Sequence, residues 1–386
     1  MSLSKPKFIA IDSSILGKWA EDAYSQVAAR REIASRVLNQ ILSENWILVI
    51  SWYHFEELIR HPEETIAESR MRFILNLPHV AWIWKADGSN HIGSVVDVLA
   101  AEIKVYLSAE CDATVENLFS ATRVCLLRFG APSDIPTLKM WRELRQDMTA
   151  LGLGKKQQEV ASILHARHDV NDNAPLSVLK DKLSLSSGEE KLAYQREVST
   201  LKNELVTRGD KRLLDHQAVA RDFCNDIFSN ITEISKSSLN TYEAFAKQFG
   251  YTLKDLPEGI TLGEFRDMAA RRQQVAISTR QLGLEIESIW PRLKSHRLPS
   301  EEIIYEIRRS RRKAIRASGS DLNDEYITSL MPYLDAVVVD KRTHEYLRQA
   351  KKRNPHLPLL ITSMLKVGSY RQLPRVLSEM GNTEHN

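Results

Sequence analysis

Acidic residues stand at the ends of several hydrophobic segments in this chain. Asp12 ends the run FIAID, and Asp340 ends the run AVVVD. An ionised carboxylate is costly to remove from water, so an acid at the end of a buried strand needs a cation or a hydrogen-bond network beside it. Further acids open the helices that we predict next to these strands. The complete set is Asp12, Glu56, Glu57, Asp321, Asp324 and Asp340.

The residue types in this acidic set point to a particular chemistry. Carboxylates that lie close together repel one another, so the set requires cations among its members. Hard carboxylate oxygens, without cysteine or clustered histidine, suit Mg²⁺ or Mn²⁺. One or two such ions can deprotonate a water molecule and neutralise the charge that builds on a phosphodiester. The acids therefore predict metal-dependent hydrolysis of a nucleic acid.

Strand and helix patterns alternate in the first 90 residues. Short β-rich runs that are separated by helical periods indicate a parallel sheet covered on both faces. The predicted strands lie at 7–12, 46–50 and 79–84, and the predicted helices lie at about 20–42 and from Tyr53 onward.

The same pattern returns at Ser320, after a long range in which strand-like runs nearly vanish. It predicts a strand at 336–339, a helix at about 343–352 and a strand at 358–362. We therefore predict one α/β domain, a parallel sheet with helices on both faces, built from residues 1–92 and 318–386. A large all-helical insertion at 93–317 would interrupt it. The ligand crevice of such a sheet lies at the carboxyl ends of its strands, so the acids would meet at one edge.

Four acidic segments together resemble the PIN-domain nuclease family. That family has an Asp after the first strand, a Glu on a following helix, an Asp opening a later helix, and an Asp or Asn after the next strand. The resemblance covers about residues 1–90 and 318–365 and implies a PIN-like fold. The segments are FIAIDSSIL (8–16), SWYHFEEL (51–58), SDLNDEYITSLMPYLD (320–335) and AVVVDKRT (336–343).

The resemblance also ranks the acids. Asp324 ranks above Asp321 because it lies 16 residues before Asp340, close to the usual interval of the family. Glu57 ranks above Glu56 because the acid of the family tends to precede a leucine, whereas the helical pattern alone leaves both open. The implied catalytic residues are Asp12, Glu57, Asp324 and Asp340, and the implied metal ligands are these four together with Asp321. The implied activity is an endoribonuclease that cuts single-stranded RNA with Mg²⁺ or Mn²⁺.

Basic residues flank the acidic segments, although the net charge of the chain is only +3. The run RRSRRKAIR (308–316) has six cations within nine residues, and a second basic group follows Asp340. We expect these groups to bind phosphates, with an affinity set by counterion release. A solvated helix surface is the alternative. The expected nucleic-acid-binding residues are Arg308, Arg309, Arg311, Arg312, Lys313, Lys341 and Arg342.

Other interpretations compete with the nuclease. A catalytically weak PIN-like module could bind nucleic acid or protein, with the helical insertion recruiting the partner, although the complete set of four acids argues against a degenerate site. A phosphohydrolase of the haloacid-dehalogenase kind would need an acid where Ser14 stands. Asp12 could also serve only as a helix cap. Asp335, which precedes a strand, is expected to be structural.

Composition limits the cellular setting. The three cysteines form no CxxC pair and leave an odd count, which argues against a disulfide framework or a zinc site and favours a cytoplasmic protein. No apolar run approaches the length of a membrane span, so we expect no membrane partner. Single-stranded RNA is the expected partner, and the sequence leaves the oligomeric state open.

Overall fold

The computed structural model describes most of the chain, and its contacts divide it into two compact units. The first consists of Met1–Leu151, Ile277–Ala314 and Ser320–Asn386, and the second of Gly152–Ala276 with Ile315–Gly319. The residues described are 5–109, 114–152, 173–178, 187–209, 213–235, 241–293, 297–311, 321–361 and 363–383, with 156, 159, 160, 162, 163 and 211.

The first unit is built around a six-stranded sheet with the order β4-β3-β2-β1-β5-β6. All neighbouring strands are parallel except β3 and β4, which are antiparallel. The strands are β1 Lys7–Ile11, β2 Trp46–Ile50, β3 Val80–Ile83, β4 Leu127–Gly130, β5 Ala336–Val339 and β6 Met364–Lys366.

Strands from both ends of the chain lie side by side in this sheet. β1 pairs with β5 in the register Ile9 to Ala336, which confirms the predicted adjacency of the segments 7–12 and 336–339. Asp335 supports the pairing, since its Oδ2 accepts a hydrogen bond from the Phe8 N–H at 2.6 Å and an ion pair from Arg123 at 2.7 Å. Asp335 therefore has the structural role that the sequence predicted.

Helices cover both faces of the sheet, as its hydrophobic strands require. Ile9, Ile11 and Val338 belong to one core cluster, whereas Ala10 and Val337 belong to the other. Helices of the first unit are α1 Ser13–Ala23, α2 Ala28–Ser43, α3 Trp52–Ile59, α4 Glu64–Leu75, α5 Val95–Ser108, α6 Val115–Leu126, α7 Pro136–Lys139 and α8 Trp141–Ala150.

The second unit is helical in its described residues, and α9 packs on α10 through Leu201, Leu205 and Ala220. The chain then returns to the first unit. The remaining helices are α9 Ser187–Arg208, α10 His216–Ser235, α11 Thr241–Gln248, α12 Leu262–Gln281, α13 Ile286–Leu293, α14 Pro299–Arg311, α15 Asp321–Thr328, α16 Lys341–Arg353, α17 Leu357–Leu360 and α18 Leu373–Thr383. In the described parts of the chain, no helix is both long and apolar enough to cross a membrane.

Three predicted elements differ in the structure. The range 93–317 is not all helical, because β4 follows α6 directly and extends the sheet. β4 is a short edge strand that leaves Phe129 58% exposed, so it lacks the apolar run of a buried strand. The segment predicted as a strand at 358–362 begins as helix α17, with Pro358 in its first turn, and β6 follows later. The helix predicted at 20–42 is divided into α1 and α2.

Candidate active site

The sheet order creates a switch point between β1 and β5. The chain leaves β1 towards β2 and β3 on one side, whereas β5 and β6 lie on the other side of β1. In open α/β sheets, ligands bind at such a point, outside the carboxyl ends of the strands. Asp12 directly follows β1 and Asp340 directly follows β5, so both acids lie at this position.

The Asp12 carboxylate is nearly buried, and its two oxygens differ in their hydrogen bonds. Its Oδ1 accepts hydrogen bonds from the backbone N–H groups of Ser14 at 2.9 Å and Ile15 at 3.3 Å, and from the Ser14 hydroxyl, so Asp12 caps α1. Its Oδ2 accepts no hydrogen bond from the described part of the chain. The backbone N–H of Asp12 donates to the Val338 carbonyl at 3.0 Å, which fixes its height above the sheet.

Asp340 has a similar arrangement on the neighbouring strand. Its Oδ1 accepts a hydrogen bond from the Thr343 N–H at 2.6 Å and thereby caps α16. Its Oδ2 lies 3.5 Å from the Nε of Arg342, at the surface. Both aspartates thus use one oxygen on a helix N-terminus, where the helix dipole favours a negative charge.

Asp324, on a third segment of the chain, also lies next to Asp12 and Asp340. It lies in the first turn of α15, and it lines a shallow cleft together with Asp12 and Asp340. The remaining walls come from Ile327, Val338, Val339 and Thr343. Asp321 begins α15, but its side chain lies outside the described residues. The structure therefore brings together three of the predicted acids, of which Asp12 is more than 300 residues from the other two in sequence.

Glu57 lies on α3 and is half-buried. Its Oε1 accepts a hydrogen bond from the Asn323 amide at 2.8 Å. Burial raises the pKa of Glu57, and the charges of Asp12 and Glu56 raise it further, against the hydrogen bond from Asn323. Ser13 is also close enough to Glu57 to lower its pKa, yet the Ser13 hydroxyl is buried and has no hydrogen-bond partner.

Glu56 has a different environment from its neighbour. It is buried and forms an ion pair with Arg60, at 3.0 Å between Oε1 and Nη1. This pair joins residues four apart on α3, a spacing that places both on one side of the helix. Of the two glutamates, Glu57 is therefore the one that contacts the α15 segment beside Asp324.

Two residues of this region were missed by the sequence analysis. Asn323 is buried next to Asp324 and holds Glu57. His54 is fully buried, and its Nε2 lies 3.0 Å from the carbonyl of Ile11, the residue before Asp12. A local signal did exist for His54, because Ser51 and His54 occupy the N-cap and N3 positions of a capping box on α3.

The described basic residues before the acidic segment form ion pairs within the protein. Arg308 donates its Nε–H to Oε2 of the fully buried Glu325 at 2.9 Å. Arg309 lies 3.6 Å from Glu306, which is also buried. Lys341 and Arg342 are exposed at the start of α16. The Arg311 side chain, Arg312 and Lys313 lie outside the described residues.

We expect Arg308 to matter for stability because it holds α15 against α14. Arg308→Met leaves the buried carboxylate of Glu325 without this partner, and we expect the free energy of unfolding to fall by about 2 kcal/mol. Urea unfolding measures the change. Adding Glu325→Gln should recover part of the loss, since the uncompensated charge is then removed. Equal stability of Arg308→Met and the native protein would contradict the structural role.

The carboxylates of Asp12, Asp324 and Asp340 are ligands of the kind that a hard cation prefers. Asp12 and Asp340, however, each use one oxygen to cap a helix. Across the described ranges, no group of three or more His, Cys, Asp or Glu side chains is arranged ready to hold a metal ion. The chemistry of the residues nevertheless fits Mg²⁺ or Mn²⁺, since these ions prefer carboxylate oxygens and Asp12 keeps Oδ2 without a hydrogen bond in the described chain. No family model matches this chain, and comparisons with curated proteins and with solved structures likewise give no match.

Proposed function

We propose that this protein is a metal-dependent nuclease of the PIN-like kind, an endoribonuclease that acts on single-stranded RNA. The observation that carries the proposal is the cleft at the switch point of the sheet, where Asp12, Asp324 and Asp340 arrive from three separate segments. Helix capping accounts for Asp12 and Asp340 taken singly. It does not account for Asp324 in the same cleft, or for the half-buried Glu57, whose pKa the charge of Asp12 helps to raise.

In this proposal the three cleft aspartates hold Mg²⁺ or Mn²⁺ through their carboxylate oxygens. When bound, the ion supplies a deprotonated water and neutralises charge on the phosphodiester. The protein holds the carboxylates of the site in place. The caps on α1 and α16 fix one oxygen of Asp12 and one of Asp340, while the amide of Asn323 fixes the carboxylate of Glu57.

The proposal is tested by incubating the full chain with end-labelled single-stranded RNA. Cleavage should appear with Mn²⁺ or Mg²⁺ and disappear with a chelator. Labelled single-stranded DNA in a parallel reaction tests the choice of RNA, which derives from the family resemblance. An absence of cleavage with either metal and either substrate would contradict the proposal.

Glu57→Gln and Glu56→Gln form a matched pair that tests which glutamate serves the site. Glu57→Gln removes a charge beside Asp12, and we expect metal-dependent cleavage to fall about tenfold or more. Glu56→Gln removes the carboxylate that pairs with Arg60, so cleavage should change less than about twofold while the melting temperature falls. Initial cleavage rates and thermal melts measure both effects. The reverse order of the two rates would assign the site to Glu56.

A further inference from the structure

Helix α16 carries a strong positive charge beside the acidic cleft. Its sequence KRTHEYLRQAKKR contains six Lys or Arg and one Glu. The helix buries Leu347 and Ala350 in the same core cluster as Val337 and Val339, so it covers that face of the sheet. Its two first residues, Lys341 and Arg342, are cations at the positive end of the helix dipole, where their charge is unfavourable for the helix itself.

Four of the basic residues of α16 lie along one side of the helix. Positions 341, 344, 348 and 351 have the spacing i, i+3, i+7 and i+10, which places their side chains in one row. The row is about 15 Å long at 1.5 Å per residue. It begins at the residue that directly follows Asp340, and it runs alongside the buried positions Thr343, Leu347 and Ala350, about a third of a turn away around the helix. The row consists of Lys341, His344, Arg348 and Lys351.

A lysine from the sheet joins this row. Lys366 ends β6 in register with Val339, which lines the acidic cleft. Residues in register point to the same face of a parallel sheet, so Lys366 lies on the face that α16 covers. Burial lowers the pKa of His344, and the charges of Lys366, Lys351 and Arg348 lower it further, against that of Glu345. Lys366, Lys351 and Arg348 therefore lie near His344; we call Lys341, His344, Arg348, Lys351 and Lys366 the α16–β6 patch.

The cations of the α16–β6 patch are paired with acids in part. Arg348 is bound by Glu345 at 2.7 Å and 2.8 Å. Among the residues that the structure describes, Lys341, Lys351 and Lys366 form no ion pair. Lys351 is also half-buried, and this desolvation lowers its pKa. Like charges gathered without counterions raise the free energy of the protein and attract a polyanion.

We propose that the α16–β6 patch binds the phosphate backbone of the nucleic acid and leads it into the cleft. A row about 15 Å long can contact several successive phosphates of one strand. The patch adjoins the cleft at two points, because Lys341 follows Asp340 and Lys366 lies beside Val339. The path into the cleft rests on the proposed nuclease function, whereas phosphate binding by the patch does not.

The test measures binding separately from cleavage. The full chain carrying Asp12→Asn is titrated, in chelator, into a fluorescent oligouridylate at several KCl concentrations. We expect Lys366→Glu and Arg348→Glu each to weaken the affinity about tenfold at low salt and to reduce the salt slope by about one. Lys139→Glu is the matched control, an exposed lysine on α7 with the same change of net charge, and should leave both quantities unchanged.

Two further measurements complete the test: a variant that only removes the charge of Lys366, and a comparison with lipid vesicles. Lys366→Gln, which removes the charge without reversing it, should give a smaller loss of affinity with an unchanged melting temperature. Unchanged affinity and slope in Lys366→Glu, or an equal loss in Lys139→Glu, would overturn the proposal, as would tighter binding to phosphatidylserine vesicles than to the oligouridylate. Cleavage by the native chain is scored independently, so a loss of binding without any cleavage would retain the patch and reject the nuclease.

Discussion

Replacing Asp12 by Asn is expected to abolish divalent-dependent cleavage while the protein stays folded. The substitution keeps the shape of the side chain, and an amide oxygen can still accept the hydrogen bonds from Ser14 and Ile15 that cap α1. It removes the charge that Oδ2 contributes to the cleft. Loss of a residue that only orients a metal ligand costs about 10–100-fold in activity, so loss of a ligand should cost more.

The same substitution at Asp340 provides the matched comparison. Asp340→Asn should also eliminate cleavage and keep the cap to Thr343. Ligands of one ion act as a unit, so the double variant should be no less active than either single variant. Cleavage of labelled single-stranded RNA with and without Mn²⁺ measures these effects.

Thermal melts without metal separate this prediction from a purely structural role. Removing the charge of Asp12 relieves repulsion towards Glu57, whose pKa that charge helps to raise. The metal-free variant should therefore be as stable as the native protein, or more so. Full activity in Asp12→Asn, or a large fall in its melting temperature, would leave Asp12 as a cap alone.

The central part of the sheet could be predicted from local sequence because its strands are short and apolar. β1, β2, β3 and β5 are hydrophobic runs buried on both faces, and parallel pairing puts their carboxyl ends at one edge. β4 and β6 are edge strands with partly exposed residues, so their hydrophobic pattern is weak. Pairing with a neighbour, which is a tertiary contact, makes them strands.

In the candidate site, too, some features can be predicted from the local sequence, whereas others depend on tertiary contacts. The positions of Asp12 and Asp340 after their strands follow from the sequence alone. The choice between Glu56 and Glu57 does not, because both flank the buried side of α3; the amide of Asn323, distant in sequence, distinguishes them. Likewise, a basic run does not reveal that Arg308 already has a buried partner in Glu325.

His54 supplies the second large effect that we expect, a loss of stability in acid. Its Nδ1 accepts from the backbone N–H of Ser51 at 3.1 Å and lies 2.8 Å from the Ser51 hydroxyl. This assigns the proton to Nε2, which donates to the Ile11 carbonyl at 3.0 Å. The peptide group between Ile11 and Asp12 is thus held on both sides, since the Asp12 N–H donates to Val338.

Burial lowers the pKa of His54 to about 4, partly opposed by the hydrogen bond to Ile11. The unfolded chain has an ordinary histidine with a pKa of about 6.5, so it binds the proton first as the pH falls. The stability that neutral His54 contributes is therefore complete above about pH 6.5 and is lost progressively down to about pH 4. The expected loss between pH 7 and pH 4 is about 3 kcal/mol.

His54→Asn tests this expectation because the shorter side chain has no imidazole to titrate. At pH 7 the variant should be less stable by about 1–3 kcal/mol, since the buried Ile11 carbonyl loses its donor. On acidification it should lose less stability than the native protein, and the two curves should converge towards pH 4. His356→Asn, which removes an exposed histidine of the same unit, should follow the native curve. Urea unfolding at a series of pH values gives all three curves, and parallel curves for the native protein and His54→Asn would show that His54 does not titrate as its burial requires.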